Sequence, residues 1–154
     1  MDNAGREDKL ENDLFYVCSV IECIGRITNN KRGDVAGKLG KAEIARLLEL
    51  ADILHCETIE TTASKLIAKC NIASGDFNNI ATCQYAVPTI FDIAKVYKRL
   101  VNDLARKQNV NISEALMGVY ASWISEKIDD YNSSMYYENP QYLYQSYIAG
   151  KAID

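Results

Sequence analysis

Apolar residues recur every three or four positions along most of the chain, which is the spacing of one face of an α-helix. Alternation of apolar and polar residues, the pattern of a half-buried strand, is nearly absent. The pattern predicts an all-α fold, a single-domain helical bundle of six or seven helices occupying residues 12–154, after a disordered or frayed tail at 1–11. The predicted helices lie at about 12–29, 34–40, 41–55 and 57–71, then from 89 and from 111 onward, and at 141–149.

Helix-start and helix-stop residues support the later boundaries. Thr89 is a good N-cap, and Asp92 three residues later makes a pair close to a capping box. Asn139 is a second N-cap, Pro140 suits the first helical position, and Gly150 is a typical stop. Residues 71–88 have weak periodicity, and the sequence leaves open a short helix or an extended piece near 81–87.

Composition and charge narrow the class of protein. The 154 residues are 48% hydrophobic and 25% charged, which suits a globular domain with a core of its own. A net charge of −4 argues against binding to duplex nucleic acid, whose phosphates call for a basic excess. The N-terminus lacks the apolar core of a secretory signal, and the longest apolar stretch, 14–27, is interrupted by polar residues. We therefore expect a cytoplasmic protein that does not enter a membrane.

The sequence carries no strong catalytic or metal-binding motif. The five cysteines form no C-x-x-C pair, and the spacing of Cys18 and Cys23 does not suit chelation on a helix, so no zinc site and no cofactor are predicted. His55 precedes Cys56 directly, and neighbouring side chains on a helix diverge too far to act as a dyad. We therefore predict no catalytic residue and no metal site.

Glu126 and Asp129 share one face of a predicted helix, because they are three residues apart. A pair of carboxylates in this arrangement suits a hard cation or acid–base chemistry. A solvated polar face accounts for the same pattern. Both interpretations stay open at this point.

A basic stripe runs along the predicted helix that follows Thr89. It consists of Lys95, Lys98, Arg99 and Arg106. Residues 89–108 hold five basic and two acidic residues, a local charge of +3, whereas residues 113–154 have a charge of −4. This asymmetry predicts a contact surface for an acidic partner or a phosphate-bearing ligand. An ordinary solvated helix face is the alternative.

Tyrosine is concentrated at the C-terminal end, where seven of the ten tyrosines follow Val119. One short helix and its preceding connection cannot bury all of these rings against one core. Tyrosine is common in binding surfaces because it offers a large rigid face with a polar tip. We predict partner contacts at Tyr131, Tyr136, Tyr137 and Tyr144, with tyrosines lying flat at the edge of the core as the alternative.

Four segments carry a resemblance to a known family. They are Asn12–Ser19 (NDLFYVCS), Asp92–Leu100 (DIAKVYKRL), Ser122–Asn132 (SWISEKIDDYN) and Tyr136–Pro140 (YYENP). Together they resemble a family of small helical proteins of anaerobic bacteria that has no established activity. Genes of that family are associated with cassettes beside an ADP-ribosyltransferase-like, toxin-like protein. The resemblance implies a role in binding a partner, with neutralisation or regulation of the neighbouring enzyme as its purpose.

The leading hypothesis is a non-catalytic protein-interaction module of a bacterial cytoplasm, which uses the basic stripe and the tyrosine-rich segment. An alternative is a small-ligand-binding protein or enzyme with a polar pocket between helices. That pocket would use Glu126, Asp129, a tyrosine hydroxyl or His55. A homodimer that buries the tyrosines is a third possibility.

Overall fold

Helix α1 (Asn3–Thr28) lies at the centre of the fold and packs against three other helices, α2 (Arg32–Leu54), α3 (Ile59–Lys69) and α4 (Ile90–Gln108). This computed structural model describes residues 3–54 and 56–153 of the chain. The remaining elements are α5 (Ile112–Tyr120), α6 (Trp123–Asp129), a 3-10 turn (Met135–Tyr137) and α7 (Pro140–Ala149). In the described part of the chain, the regular elements are all helices and there is no strand, which confirms the predicted all-α, single-domain bundle.

The core follows the apolar spacing that the sequence shows. One face of α1 is buried along its central turns, and α4 contributes a second row of buried side chains. Helix α4 also packs against α5 and α7. Buried aliphatic side chains of these two helices are Leu14, Val17, Ile21, Ile24, Ile93, Leu100 and Val101. Across residues 3–54 and 56–153, no helix is both long enough and apolar enough to cross a membrane.

Two predicted boundaries were wrong. Residues 3–11 belong to α1, so the helix begins well before the predicted start at Asn12. The predicted long helix after Asn111 is divided into α5 and α6. The predicted division between helices at 34–40 and 41–55 is confirmed, because α2 has a kink at Gly40, where φ is 80° and ψ is 161°. Glycine tolerates this positive φ because it has no Cβ.

The division between α5 and α6 lies at Ala121 and Ser122. Ser122 has extended backbone angles, φ −93° and ψ 168°, and its hydroxyl donates a 2.7 Å hydrogen bond to the carbonyl of Val119. The start of α2 packs tightly here, because a Cβ on Gly33 would lie 2.4 Å from the carbonyl oxygen of Tyr120. The break changes the direction of α6, and the end of α6 meets the start of α2.

Residues 71–88 form an irregular connection of turns and bends, without the short helix that the sequence left open near 81–87 and without any strand. Hydrogen bonds fix both ends of this segment to the end of α1. Gly75 and Phe77 donate backbone hydrogen bonds of 2.8 Å to the carbonyls of Thr28 and Asn29. Arg26 donates a 2.7 Å hydrogen bond to the carbonyl of Pro88.

The capping box of α4 gives a first test of the fold. The Thr89 hydroxyl accepts from the amide of Asp92 at 3.0 Å, and the Asp92 carboxylate accepts from the amide of Thr89 at 2.9 Å. We expect Thr89→Ala to lower the free energy of unfolding by about 1 kcal/mol, because an amide of the first turn loses its acceptor. Urea titration measures the change, and Thr89→Ser is the control that keeps the hydroxyl. An equal loss in both variants would contradict the cap.

Candidate functional site

The basic stripe lies on the outer face of α4. Lys95, Arg99 and Arg106 are exposed, whereas Lys98 is half-buried. Arg106 forms an ion pair of 3.3 Å with Asp103 on the same helix. No ion pair is formed by Lys95 or Arg99 within the described part of the chain. These two cations are therefore the part of the stripe that is available to another molecule.

Two of the four tyrosines predicted to contact a partner lie in the core. Tyr131 is 2% exposed and Tyr144 is 5% exposed, so neither offers its ring to another protein. The Tyr144 hydroxyl accepts a 2.6 Å hydrogen bond from Gln108, and the Lys107 ammonium lies 4.4 Å from the centre of its ring. Tyr144 therefore holds α7 against the end of α4, and the sequence prediction is corrected for both residues.

Tyr136 and Tyr137 remain at the surface, on the 3-10 turn beside α4. Tyr136 is half-buried and packs edge-on against Tyr131 with ring centres 5.9 Å apart. Tyr137 is 68% exposed, and its ring stands edge-on to Tyr136 at 5.0 Å. Edge-to-face packing of this kind holds aromatic rings in one orientation. An exposed ring is thus fixed to the core through two others.

The structure brings Arg99 together with Tyr136 and Tyr137. They line one small groove of about 90 Å³ between α4 and the 3-10 turn, which we call the Tyr137 groove. Its lining is Val96, Arg99, Leu100, Tyr136, Tyr137, Glu138, Pro140 and Leu143. The two surfaces that the sequence predicted separately therefore meet at this groove.

A second site is a buried cluster of charged groups, formed by Glu22, Arg26, Arg32 and Tyr131 and called here the Glu22 cluster. Arg32 is 0% exposed and donates to the two carboxylate oxygens of Glu22 at 2.9 and 3.0 Å. Arg26 donates to Glu22 at 2.8 Å, and the Tyr131 hydroxyl donates to the same carboxylate. These bonds join the middle of α1 to the start of α2 and to the chain after α6.

The remaining donors of Arg32 also find acceptors. Arg32 donates to the carbonyl of Asn30 at 2.8 Å and to the side-chain oxygen of Asn79 at 3.2 Å. Gly25 makes room for this side chain, because a Cβ at that position would lie 2.3 Å from Cδ of Arg32. The arginine is thus enclosed by α1, the loop before α2 and the irregular segment 71–88.

Asp129 extends the Glu22 cluster toward the surface. Its carboxylate accepts from the Tyr97 hydroxyl at 2.7 Å and from the backbone amide of Arg32 at 3.3 Å. The Tyr97 hydroxyl also lies 2.8 Å from the hydroxyl of Ser125, and the Tyr97 ring is stacked on Tyr120 with centres 4.1 Å apart. Asp129 is 1% exposed, so the solvated helix face considered from the sequence applies to Glu126 and not to Asp129.

The two buried carboxyl groups have opposite pKa shifts. Burial acts to raise the pKa of Glu22, but the charge and hydrogen bonds of Arg32, with those of Tyr131 and Arg26, hold it below its usual value. Burial and the negative charge of Glu22 together raise the pKa of Asp129 to about 7, because Arg32 and Tyr97 lower it by less. Glu22 is therefore ionised at neutral pH, while Asp129 titrates there.

A cleft of about 380 Å³ opens between the start of α2 and the junction of α5 and α6. Its lining is Lys31, Gly33, Asp34, Tyr120, Ala121, Ser122, Trp123, Ser125, Glu126 and Asp129. We call it the Asp129 cleft, because Asp129 is the buried carboxyl in its lining. The cleft thus brings together Glu126 and Asp129, two residues that the alternative small-ligand hypothesis named, and adds Ser125, which it did not name.

Other candidate groups are not brought together. His55 lies outside the described residues, and Cys56 is exposed. The five cysteines are free thiols, with Cys18 and Cys23 buried in α1. Among residues 3–54 and 56–153, no three histidine, cysteine, aspartate or glutamate side chains converge in a way that would hold a metal ion.

Sequence reasoning missed Glu22 and Arg32 as site residues. Glu22 gave a signal, because it interrupts the longest apolar stretch of the chain at a position between buried residues. Arg32 follows a predicted helix end and looks like an ordinary loop cation. Its burial depends on residues 47 and 97 positions away, Asn79 and Asp129, which no local pattern indicates.

Comparison of the chain with protein-family models, with curated proteins and with solved structures gives no match. The resemblance described from the sequence therefore stays a prediction.

The close contact of Gly25 with Arg32 provides a test of the Glu22 cluster. We expect Gly25→Ala to lower the free energy of unfolding by about 1–3 kcal/mol, because the new methyl group displaces a buried guanidinium. Gly37→Ala is the matched control on α2, where a Cβ meets nothing within 4 Å. It should leave stability unchanged or raise it by up to about 1 kcal/mol. Chemical denaturation compares them, and equal behaviour of the two variants would argue against the contact.

Titration of Asp129 predicts a pH dependence of stability. Its folded-state pKa of about 7 lies above the ordinary aspartate pKa of 3.8. Its contribution to stability is therefore full below pH 3.8 and is lost as the pH rises through 7. Glu22 has the opposite sign, and its contribution is lost as pH falls below the range of an ordinary glutamate. We therefore expect Asp129→Asn to gain stability relative to wild type between pH 5 and pH 8. Urea titrations at pH 5 and pH 8 measure the free energy of unfolding of the variant and of wild type. If the variant differs from wild type by the same amount at both pH values, the raised pKa of Asp129 is contradicted.

Proposed function

We propose that this protein is an interaction module that binds another protein through the Tyr137 groove. The observation that carries the proposal is the exposed ring of Tyr137, which is 68% exposed and yet held edge-on at 5.0 Å by Tyr136. A ring that is already ordered loses little side-chain entropy when a partner covers it. Apolar surface presented in this way is typical of a contact residue.

The composition of the groove supports the same proposal. Tyrosine and arginine are the residue types most enriched among energetically dominant contacts, and Arg99 stands beside both tyrosines. Lys95, one helical turn away on α4, is exposed as well. A basic patch on a chain of net charge −4 favours a partner whose contact surface is acidic.

We propose as partner the ADP-ribosyltransferase-like enzyme that the family resemblance implies, with this protein neutralising or regulating it. Binding near the active site of such an enzyme would block its substrate, and binding elsewhere would alter its stability or localisation. A second copy of this chain is the other occupant that the tyrosines suit. The oligomeric state of the purified protein separates the two.

The test is a binding titration with a separately purified ADP-ribosyltransferase-like enzyme, the partner that the resemblance implies. Tyr137→Ser and Arg99→Glu should each raise the dissociation constant at least about tenfold, which is the effect of losing a contact worth about 1.4 kcal/mol. Matched controls are Ile53→Ser, a 69% exposed apolar residue on α2, and Lys38→Glu, an exposed cation on the same helix. Both controls should bind as wild type does.

Circular dichroism should show the same helix content in all four variants, because each residue is exposed. Affinity that is unchanged by Tyr137→Ser and Arg99→Glu would reject the groove as the contact surface. Light scattering that shows a wild-type dimer and a monomeric Tyr137→Ser variant would identify a second copy as the occupant, in place of the enzyme.

A further inference from the structure

The Asp129 cleft holds a buried carboxyl group that has no counter-ion of its own. Both hydrogen-bond donors to its side chain are uncharged, namely the Tyr97 hydroxyl at 2.7 Å and the backbone amide of Arg32 at 3.3 Å. The Arg32 guanidinium lies near Asp129, but it donates two hydrogen bonds to Glu22. Buried charges in proteins are normally paired, because an unpaired one loses its hydration without compensation. A cation that enters the cleft would supply the missing charge.

The rim of the cleft is acidic as well. Asp34 and Glu126 are both exposed there, and the one lysine of the lining, Lys31, forms a 3.2 Å ion pair with Glu126. Three carboxyl groups thus face one ammonium group. The half-buried ring of Trp123 completes one wall, and aromatic faces attract organic cations.

The arrangement of the carboxyl groups selects the kind of cation. A divalent metal ion needs several ligands that converge on one point, and the described residues contain no such group of three. An extended organic cation can reach carboxyl groups that stand apart, since each N–H group finds its own acceptor. The volume of about 380 Å³ lies in the range of small-ligand pockets.

We propose that the Asp129 cleft binds a small organic cation, a molecule that carries a guanidinium or a primary ammonium group. Asp129 accepts hydrogen bonds from the cationic group at the buried end of the cleft. Glu126 and Asp34 hold a second polar end at the rim. This site is separate from the Tyr137 groove, so the two proposals succeed or fail independently.

Binding at this site is coupled to a proton. Burial, with the charge of Glu22, raises the pKa of Asp129 to about 7, so part of the protein must release a proton before the carboxylate can pair with a cation. The charged and titratable groups around Asp129 are Glu22 on α1, Arg32 on α2, Tyr97 on α4, and Lys31, Asp34 and Glu126 at the cleft. A ligand that stays cationic between pH 6 and pH 8 therefore binds about tenfold more tightly at pH 8.

The experiment is calorimetric titration of the 154-residue protein with agmatine, which carries both a guanidinium and an ammonium group. Mg²⁺ chloride is the metal probe, and 1,4-butanediol is the uncharged probe. A capped Gly-Arg-Gly peptide distinguishes an arginine of a protein from a free small molecule as the source of the cation. We expect agmatine or the peptide to bind about tenfold more tightly at pH 8 than at pH 6. Titrations in buffers of different ionisation enthalpy should show that binding releases a proton.

The variants assign the site. Asp129→Asn should weaken binding at least tenfold and abolish proton release, whereas Glu126→Gln should weaken it a fewfold without disturbing the core. Glu114→Gln, an exposed carboxyl group on α5 outside the cleft, is the matched control and should bind as wild type does. If Asp129→Asn does not fold, Glu126→Gln and the wild-type proton release still decide. The proposal would be overturned if no cationic probe bound or if only Mg²⁺ bound. An affinity that is the same in wild type, Asp129→Asn and Glu126→Gln would also overturn it.

Discussion

The structure depends on one buried ion pair, between Glu22 in the middle of α1 and Arg32 at the start of α2. Both side chains are almost fully removed from water, 1% and 0% exposed, which costs free energy that the Coulomb attraction alone does not always return. Here the carboxylate also accepts from Arg26 and Tyr131, and the guanidinium also donates to Asn30 and Asn79. These hydrogen bonds offset the loss of hydration of both charged groups. Removal of Glu22 would leave the Arg32 guanidinium buried without an ion pair, whereas Glu22 would keep Arg26 if Arg32 were removed.

Both candidate sites are attached to this pair, on opposite branches. Tyr131 donates to Glu22 and packs against Tyr136, which supports the exposed ring of Tyr137. On the other branch the backbone amide of Arg32 donates to Asp129, the buried carboxyl group of the cleft. The proposed contact surface and the proposed cation site are thus joined to the same buried ion pair. A site that is already ordered before binding loses less entropy when a ligand binds.

The local pattern of the sequence predicted those features that depend on neighbours along the chain. The apolar spacing of α1 and α4 identified helices and their buried faces, because amphipathic periodicity reflects which side of a helix faces the core. The caps at Thr89 and Asn139 were predicted because a cap involves residues only two or three positions apart. The same periodicity placed Lys95, Arg99 and Arg106 on the exposed face of α4.

The tertiary structure alone decided which polar residues are buried and which aromatic residues stay outside. Asp129 falls on the polar side of its own helix, yet the break at Ser122 turns α6 so that this carboxyl meets Tyr97 and the start of α2. Tyr137 and Tyr144 are the same residue type in neighbouring elements, and only the packing of the folded chain buries Tyr144 and exposes Tyr137. The periodicity of a sequence encodes contacts between neighbouring turns, so it determined the helices of this protein. The pairing of Glu22 with Arg32 and the position of Asp129 depend on residues far apart in the chain, and only the folded arrangement of the helices brings them together.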